Sequence, residues 1–333
     1  MMRREFSLTL VALALLALTA CSVENEVNIP TPQGDEISFG TVNTRAGVSD
    51  LQANGFGVWA FIDNTNVQDY VLMDNQEVTY TDGVWTYSPH KYWIKNTVFT
   101  FMAIYPYGLG DNFTVDTKNR AIKLAVSETP SKVDYLMATN ETDTSIEGYS
   151  TTVDLQFKHM LTSVGLNIWR DGGKHQNDEM RIKSVTLGNI RKGGTYSTDT
   201  NTWTYDGNKL TVEMIDDDLT DSDKIGAATM DNGSLTTGGI AASPFGQMML
   251  LPQTVGDSNV VSLKIVYQLM RDGAADWEEA ELETVLPSMT WEAGKRYTFN
   301  VVLSSVTDIT VYYIQTKVDP WGTPQVGGTV IIK

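Results

Sequence analysis

Short runs of apolar residues, or of alternating apolar and polar residues, make up most of the chain. The runs are rich in Val, Thr, Ile, Tyr and Phe, which favour β-strands. We find no stretch with helical periodicity longer than about two turns. The pattern predicts strands at residues 36–42, 55–62, 77–81, 83–87, 97–105, 121–126, 152–157, 162–170, 180–187, 246–251, 260–270, 280–285, 295–303, 310–318 and 328–332.

Dipeptides that form tight turns lie between many of these predicted strands. They include Asp82-Gly83, Asp206-Gly207, Asn232-Gly233 and Asp272-Gly273. Many short strands joined by such turns are typical of β-sandwiches. The sequence therefore predicts an all-β protein.

The length of 333 residues exceeds what one β-sandwich requires, so we expect two domains. Residues 140–150 are polar, acidic and poor in strand formers, which favours a boundary in this segment. We place an N-terminal β-sandwich at residues 36–148 and a C-terminal β-sandwich at residues 149–333.

The first twenty residues have the pattern of an export signal. Arg3 and Arg4 precede an apolar stretch, residues 6–20, that is too short to span a bilayer as a stable helix. It ends in Leu18-Thr19-Ala20-Cys21, which resembles the bacterial lipobox, where cleavage between Ala20 and Cys21 frees the cysteine for lipidation. We expect residues 1–20 to be a lipoprotein signal peptide. An ordinary secretory peptide is the alternative.

Cys21 is the only cysteine in the chain. A single cysteine excludes intramolecular disulfides and metal sites built from several cysteines. Two or more acyl chains on Cys21 would hold the protein on a membrane durably. The polar segment that follows contains Pro30 and Pro32, and we expect residues 21–35 to form a flexible stalk above the lipid.

The charge of the chain narrows the classes of partner. It carries 41 acidic and 24 basic residues, for a formal net charge of −17. Nucleic-acid binding requires a basic surface, so we expect no nucleic-acid partner. The acidity also argues against a polybasic protein that binds membrane surfaces.

Candidate catalytic residues are sparse. The three histidines are His90, His159 and His175, and no HExxH, GxSxG or GxxxxGK[ST] motif is present. We interpret the histidines as structural and expect no catalytic residue, no cofactor and no enzymatic activity.

An acidic run at Asp216-Asp217-Asp218, with Asp221 and Asp223 nearby, offers oxygen ligands of the kind that calcium prefers. It lacks the spacing of a defined calcium loop, so we favour a solvated loop and expect no metal site.

An aromatic group at Trp85, Tyr87, Tyr92 and Trp93 allows two interpretations. The rings could form a platform for stacking on a glycan, or they could belong to the core of a sandwich. We favour the core, because the residues alternate around predicted strands.

Several motifs, in this order along the chain, resemble the fimbrillins, which are structural subunits and adhesins of the type V pili of Bacteroidetes. The resemblance covers nearly the whole chain after the signal peptide. The motifs are Glu36-Ile37-Ser38-Phe39-Gly40 before Thr44-Arg45-Ala46, residues 56–61 with 85–93 and 99–106, residues 134–138 with 155–161, and residues 294–301 with Asp319-Pro320-Trp321.

The resemblance implies two transthyretin-like Greek-key β-sandwich domains in tandem after the signal peptide. It also implies export as a lipoprotein, followed by cleavage after an arginine by an arginine-specific maturation protease. Cleavage between Arg45 and Ala46 is the candidate, with an uncut surface arginine as the alternative. The released strand, residues 36–43, would then be replaced by a strand from another fimbrillin subunit, a process called donor-strand exchange. Ile37 and Phe39 would be the exchanged side chains, because they alternate with polar or small neighbours.

At the C-terminus, residues 309–318 allow two interpretations, a donor extension or an ordinary last strand, and we favour the last strand. The resemblance implies an outer-membrane lipoprotein at the cell surface or in the fimbrium, with other fimbrillin subunits, the outer membrane and a surface receptor or glycan as partners. The sequence thus favours a pilus subunit that mediates adhesion. A glycan-binding surface lipoprotein of a carbohydrate-uptake system is the alternative, and a hydrolase is a distant third.

Overall fold

The computed structural model describes residues 34–40, 48–64, 67–108, 113–125, 133–172, 177–214, 224–231, 234–238, 242–256, 258–303, 311–320 and 330–332. These described residues belong to one compact unit. Within the described residues, strands dominate and α1 (Val48–Asn54) is the one α-helix. The all-β prediction is therefore confirmed.

The strands vary from two to fifteen residues in length. In chain order they are β1 (Ser38–Phe39), β2 (Phe56–Asn64), β3 (Val67–Thr81), β4 (Val84–Thr86), β5 (Val98–Tyr105), β6 (Phe113–Asp116), β7 (Ala121–Ala125), β8 (Leu136–Asp143), β9 (Thr152–Val153), β10 (Lys158–His159), β11 (Thr162–Asp171), β12 (Glu179–Arg191), β13 (Gly193–Ser197), β14 (Thr202–Tyr205), β15 (Lys209–Glu213), β16 (Ala227–Asp231), β17 (Ser234–Gly238), β18 (Ala242–Leu250), β19 (Gln253–Val255), β20 (Ser262–Met270), β21 (Glu278–Val285), β22 (Met289–Trp291), β23 (Lys295–Leu303), β24 (Val311–Pro320) and β25 (Val330–Ile332).

Four larger sheets and two small ones result from their pairing. A six-stranded sheet has the order β10-β8-β5-β2-β3-β4. A seven-stranded sheet has the order β17-β16-β11-β23-β24-β25, with β18 also paired to β11. Two four-stranded sheets have the orders β15-β12-β20-β21 and β14-β13-β7-β6, and β1-β9 and β19-β22 form two-stranded sheets.

The six-stranded sheet is buried on both faces. In β2, Phe56, Val58 and Ala60 point into one core, and Trp59 and Phe61 point into another. Successive residues of a strand face opposite sides of a sheet, so a strand with apolar residues at nearly every position requires two covered faces. We call the core that contains Phe56 the N-terminal core, because its buried members lie between residues 37 and 157.

The second core contains Trp59 and extends through most of the remaining chain, as far as Leu303. β6 and β7 contribute Phe113, Ile122 and Leu124 to it. The six-stranded sheet therefore takes part in both cores.

Three strand pairings cross the predicted domain boundary between residues 148 and 149. They are β1 with β9, β8 with β10 and β7 with β13. In addition, β8 extends into the segment that we expected to be poor in strands. The two-domain division and its Greek-key connections stay predictions.

At the C-terminus, β24 pairs antiparallel with β23 from Lys295–Pro320 to Leu303–Val311, and β25 pairs with β24. β24 thus forms an integral strand of the seven-stranded sheet.

Candidate functional site: the groove that holds residues 34–40

Residues 34–40 lie as an extended segment between two other parts of the chain. On one side, Ile37 N donates to Lys91 O (2.9 Å) and Trp93 N donates to Asp35 O (3.0 Å). Glu36 and Tyr92 form the antiparallel bridge between these hydrogen bonds. Residues 91–93 are therefore one wall of a groove, and residues 34–40 are its occupant.

The other wall is formed by residues 151–153. Ser38 N donates to Thr151 O (3.4 Å), and Gly40 N donates to Val153 O (2.9 Å). This pairing is parallel and includes only the two residues of β1 and β9. The odd-numbered backbone groups of the segment thus bond to one wall, and the even-numbered groups bond to the other.

Ile37 and Phe39 project from this segment into the N-terminal core. Ile37 is 0% exposed and Phe39 is 6% exposed. The Phe39 ring makes edge contacts with Tyr87 and Phe56, at centroid distances of 5.5 and 6.2 Å. Burying side chains of this size contributes about 1.5–3 kcal/mol each, so these two residues hold the segment in place.

Tyr87 supplies a hydrogen bond that the short walls do not. Its hydroxyl donates to Ile37 O (2.7 Å) and accepts from Lys91 N (3.2 Å). The pKa of Tyr87 is raised to about 12, chiefly by burial and to a smaller extent by the nearby Glu36 carboxylate, whereas the hydrogen bond from Lys91 lowers it. The phenol is therefore neutral at physiological pH and available as a donor to the backbone of the inserted segment.

Glycines at both ends of the segment allow a close approach to the walls. A Cβ on Gly34 would lie 2.8 Å from Trp93 O and from Trp93 Cβ. Because Trp93 is fully buried, neither atom can move away easily. A Cβ on Gly40 would lie 2.5 Å from Asp154 Oδ1 and 2.6 Å from Thr152 Cγ2, which are both side-chain atoms. Because one of the close contacts of Gly34 is with a backbone atom, glycine is required more strictly at position 34 than at position 40.

The outer face of the segment is polar. Glu36 Oε1 lies 2.5 Å from His90 Nδ1, and both side chains are about half exposed. Ser38 Oγ lies 3.0 Å from Thr152 Oγ1. Exposed contacts of this kind contribute little to stability.

The geometry favours replacement of the segment by another strand. Without residues 34–40, backbone groups of Lys91, Trp93, Thr151 and Val153 would lose partners beside an open apolar pocket. Unpaired backbone groups next to apolar pockets are the usual features of sites that bind an added β-strand.

Of the residues singled out from the sequence, Ile37 and Phe39 lie together in the groove. Ala20, Cys21, Arg45 and Ala46 lie outside the described residues. The predicted lipidation, signal cleavage and protease cleavage therefore stay predictions.

The aromatic group divides between core and surface. The expectation of a core position is confirmed for Tyr87 and Trp93, which are buried. It is wrong for Tyr92, which is 43% exposed because it stands on the outer face of the groove wall. Trp85 is half-buried and packs against Phe56 and Tyr80.

The histidines that the structure describes have structural surroundings. His90 pairs with Glu36, and His159 Nδ1 lies 2.7 Å from Asp134 Oδ2 at the side of the six-stranded sheet. His175 and residues 216–218 lie outside the described residues. Across the described ranges, no group of three His, Cys, Asp or Glu side chains is arranged to hold a metal ion.

Sequence reasoning did not identify residues 91–93 and 151–153 as the walls of a groove, nor the role of the Tyr87 hydroxyl. The strand predicted at residues 152–157 includes part of one wall, but its pattern does not indicate the segment with which it pairs. The occupant was expected from the resemblance to the fimbrillins, together with the alternation at residues 36–40.

Together these features define an all-β protein whose N-terminal core is completed by a short extended segment near the start of the chain. The chain belongs to the fimbrillin-like family, whose family model matches residues 44–321. The match begins after residues 34–40, the segment that occupies the groove. A search of curated proteins found no match.

Solved structures to which this chain is similar include three from Bacteroides species. A fimbrial protein from Bacteroides vulgatus is 18% identical, with a TM-score of 0.63 over 86% of this chain and 100% of that chain. A candidate cell adhesion protein from Bacteroides uniformis is 15% identical, with a TM-score of 0.47 over 86% of this chain and 99% of that chain. A candidate adhesin from Bacteroides thetaiotaomicron is 13% identical, with a TM-score of 0.44 over 91% and 99%.

In the part of the chain that the structure covers, no helix is long and apolar enough to cross a membrane.

Proposed function

We propose that this protein is a structural or adhesive subunit of a type V pilus, assembled by donor-strand exchange at the groove that residues 34–40 occupy. Membership of the fimbrillin-like family supports the class of protein. The observation that supports the mechanism is the burial of Ile37 and Phe39 in the N-terminal core. Both residues belong to a short segment with few backbone pairings. The proposal includes no enzymatic activity.

The segment has the properties of a replaceable part. Its ladder is short, with two paired residues on one side and one bridge on the other. The hydrogen bonds use the backbone, which any strand can provide. Only the pockets for Ile37 and Phe39 and the close contact at Gly34 depend on side chains, so an incoming strand with the same pattern could occupy the groove.

Release of the segment requires a cut between the groove and the rest of the chain. Arg45 lies five positions after Gly40 and before the start of α1 at Val48, with small or polar neighbours. We propose that an arginine-specific protease cuts between Arg45 and Ala46. A free segment would then exchange with a strand of another subunit, because it is no longer held by the covalent chain.

The remaining steps concern delivery. We propose export with residues 1–20 as a signal peptide, lipidation at Cys21 and attachment to the outer membrane. Cleavage at Arg45 would release the fragment that carries the lipid together with residues 34–40. Lipidation would thus bring the subunit to the cell surface before assembly into the fimbrium, where a receptor or glycan on another surface would be the adhesion partner.

The test is controlled cleavage of the purified protein. Treatment with an arginine-specific protease should yield a fragment that starts at Ala46 and heat-labile oligomers of high molecular weight. The matched control is Arg45→Lys, which keeps the charge but removes the cleavage site, and it should remain monomeric under the same treatment.

The proposal fails if the Ala46 fragment forms and stays monomeric with residues 34–40 still bound. It also fails if the uncut protein forms no polymer with related subunits and is instead retarded on polysaccharide affinity gels, which would favour a glycan-binding lipoprotein.

A further inference from the structure

Arg191 and Lys209 lie directly opposite each other on neighbouring strands. Arg191 ends β12, Lys209 begins β15, and the two are register partners in the antiparallel pair. Like charges at opposed positions of a sheet destabilise it. The chain has far more acidic than basic residues, so composition gives no reason for two cations to meet here.

Neither cation forms an ion pair with any carboxylate that the structure describes. Two other lysines of the same sheet do form ion pairs. Lys183 Nζ lies 2.5 Å from Glu279 Oε2, and Lys264 Nζ lies 2.9 Å from Glu281 Oε2. The pKa of Lys209 is lowered, first by partial burial and then by the charge of Arg191. Among the described residues, no carboxylate therefore compensates the two positive charges.

Neutral groups hold both cations in position. The guanidinium carbon of Arg191 lies 4.3 Å from the centroid of the Tyr205 ring, within cation–π range. The Lys209 ammonium donates to Asn259 Oδ1. These contacts orient the two charges without neutralising them.

A buried amide network fixes this arrangement. Gln253 and Asn259 are 3% and 2% exposed. Gln253 Oε1 accepts from Asn259 Nδ2 (3.2 Å) and from the backbone N of Arg191 (3.3 Å), and Asn259 Nδ2 also donates to Thr254 O (2.9 Å). Buried polar networks whose members all find partners are rigid. Asn259 Oδ1, which accepts the hydrogen bond from the Lys209 ammonium, is therefore held in a fixed position.

We propose that Arg191 and Lys209 form a binding site for a carboxylate, of the kind carried by a uronic sugar. A guanidinium can donate two parallel hydrogen bonds to a carboxylate, and the ammonium can donate a third. A carboxylate between the two cations would also remove their mutual repulsion. We assign it to a saccharide because an acidic polypeptide would bring further negative charge toward a chain of net charge −17. The site shares no residue with the groove and does not depend on strand exchange.

The test is calorimetric titration of the purified protein with glucuronate in a low-salt buffer without phosphate. We expect binding with a Kd on the order of 1 mM, the range of small ligands with few contacts, and no binding of glucose. Lys209→Gln keeps a donor for Asn259 but removes the charge, so glucuronate should bind about tenfold more weakly.

A second readout separates a binding role from a structural one. Because Lys209→Gln removes a like-charge contact, it should raise the melting temperature by about 1–3 °C while it weakens binding. The matched control is Lys264→Gln on the same sheet, which breaks an ion pair and should leave glucuronate affinity unchanged.

Asp257 precedes Asn259 by two positions in the sequence and lies outside the described residues. The variant Asp257→Asn therefore tests whether the carboxylate of Asp257 competes with glucuronate. The proposal is overturned if glucuronate does not bind, if it binds only to the Asp257→Asn variant, or if Lys209→Gln binds it as tightly as the natural protein does. Equal weakening by Lys264→Gln would also overturn it, since the effect would then reflect net charge alone.

Discussion

Strands β1 and β23 both place a phenylalanine in a core, but they are held there in different ways. Phe39 of β1 and Phe299 of β23 are both buried. β23 pairs along its length with β11 on one side and with β24 on the other. β1 pairs over two residues with β9, and a single bridge supplements it on the opposite side.

The difference shows that burial of side chains and anchoring of the backbone are separable. β23 cannot leave without breaking two long ladders, so its loss is equivalent to unfolding. Detachment of residues 34–40 would break only a few hydrogen bonds and expose two buried side chains. Local openings of this kind have free energies well below that of global unfolding. Residues 34–40 therefore contribute side chains to the core, but their backbone does not belong to the long strand ladders.

The largest expected effect is that of Phe299→Ala. Truncation of a buried phenylalanine costs about 3–5 kcal/mol, and β23 has no way to avoid the loss by detaching. The free energy of unfolding from urea titration should fall by this amount, with loss of hydrogen-exchange protection in β11 and β24 as well. A decrease in the free energy of unfolding of less than about 1 kcal/mol would contradict the view that β23 cannot detach separately.

Phe39→Asp is expected to detach the groove segment. A buried carboxylate without a partner is too costly to retain, so residues 34–40 should leave the groove. The net loss should be about 2 kcal/mol, because the released chain regains conformational entropy. Hydrogen exchange should show full loss of protection at residues 35–40 and retained protection in β23. Ser38→Asp, at an exposed position of the same strand, is the control and should keep the segment in place.

Tyr87→Phe removes the hydroxyl that donates to Ile37 O and leaves a buried carbonyl without this partner. A lost hydrogen bond of this type costs about 1–2 kcal/mol. The effect should be a faster exchange of amides 37–40 with little change elsewhere. Protection that stays at the level of the natural protein would show that the backbone walls alone hold the segment.

Alkaline pH should reversibly remove the hydrogen bond that the Tyr87 hydroxyl donates to Ile37 O. The pKa of Tyr87 is raised in the fold, so its neutral form stabilises the protein fully below pH 10, and this stability is lost as the pH rises from 10 through about 12. The difference in stability between the natural protein and Tyr87→Phe should therefore narrow over this range. Comparison with the variant removes the contribution of the other tyrosines. A constant difference would contradict the assignment.

Glu36→Gln should have the smallest effect. The contact between Glu36 and His90 is about half exposed, and exposed ion pairs contribute about 0–1 kcal/mol. We expect a change in thermal stability of no more than about 2 °C by calorimetry. A larger decrease would show that the outer face of the segment also anchors it.

Strands with strong internal patterns could be found from the sequence. The prediction at 295–303 coincides with Lys295–Leu303, and the prediction at 162–170 differs from Thr162–Asp171 by one residue. Both strands are rich in apolar and β-branched residues, so local pattern and tertiary burial agree. The burial of Ile37 and Phe39 followed from alternation in the same way.

Elements that depend on distant partners could not be found in this way. β8 ends in Thr139-Asn140-Glu141-Thr142-Asp143, a polar sequence that becomes a strand because it pairs with the apolar β5. A strand was predicted at residues 152–157, but its pairing with residues 38–40, more than 110 residues away, could not be predicted from the local pattern. α1 has seven residues, too few to display a helical period. Long-range pairing, and not local preference, forms these elements.

The alternation of hydrogen bonds along residues 34–40 also has a mechanical consequence. Backbone bonds from odd and even positions reach opposite walls, and they cross the strand axis, at a slant on the parallel side. A pulling force applied along that axis is shared by these bonds at once, whereas a force applied sideways would break them one after another. The segment should therefore resist a pull along its axis better than a pull across it.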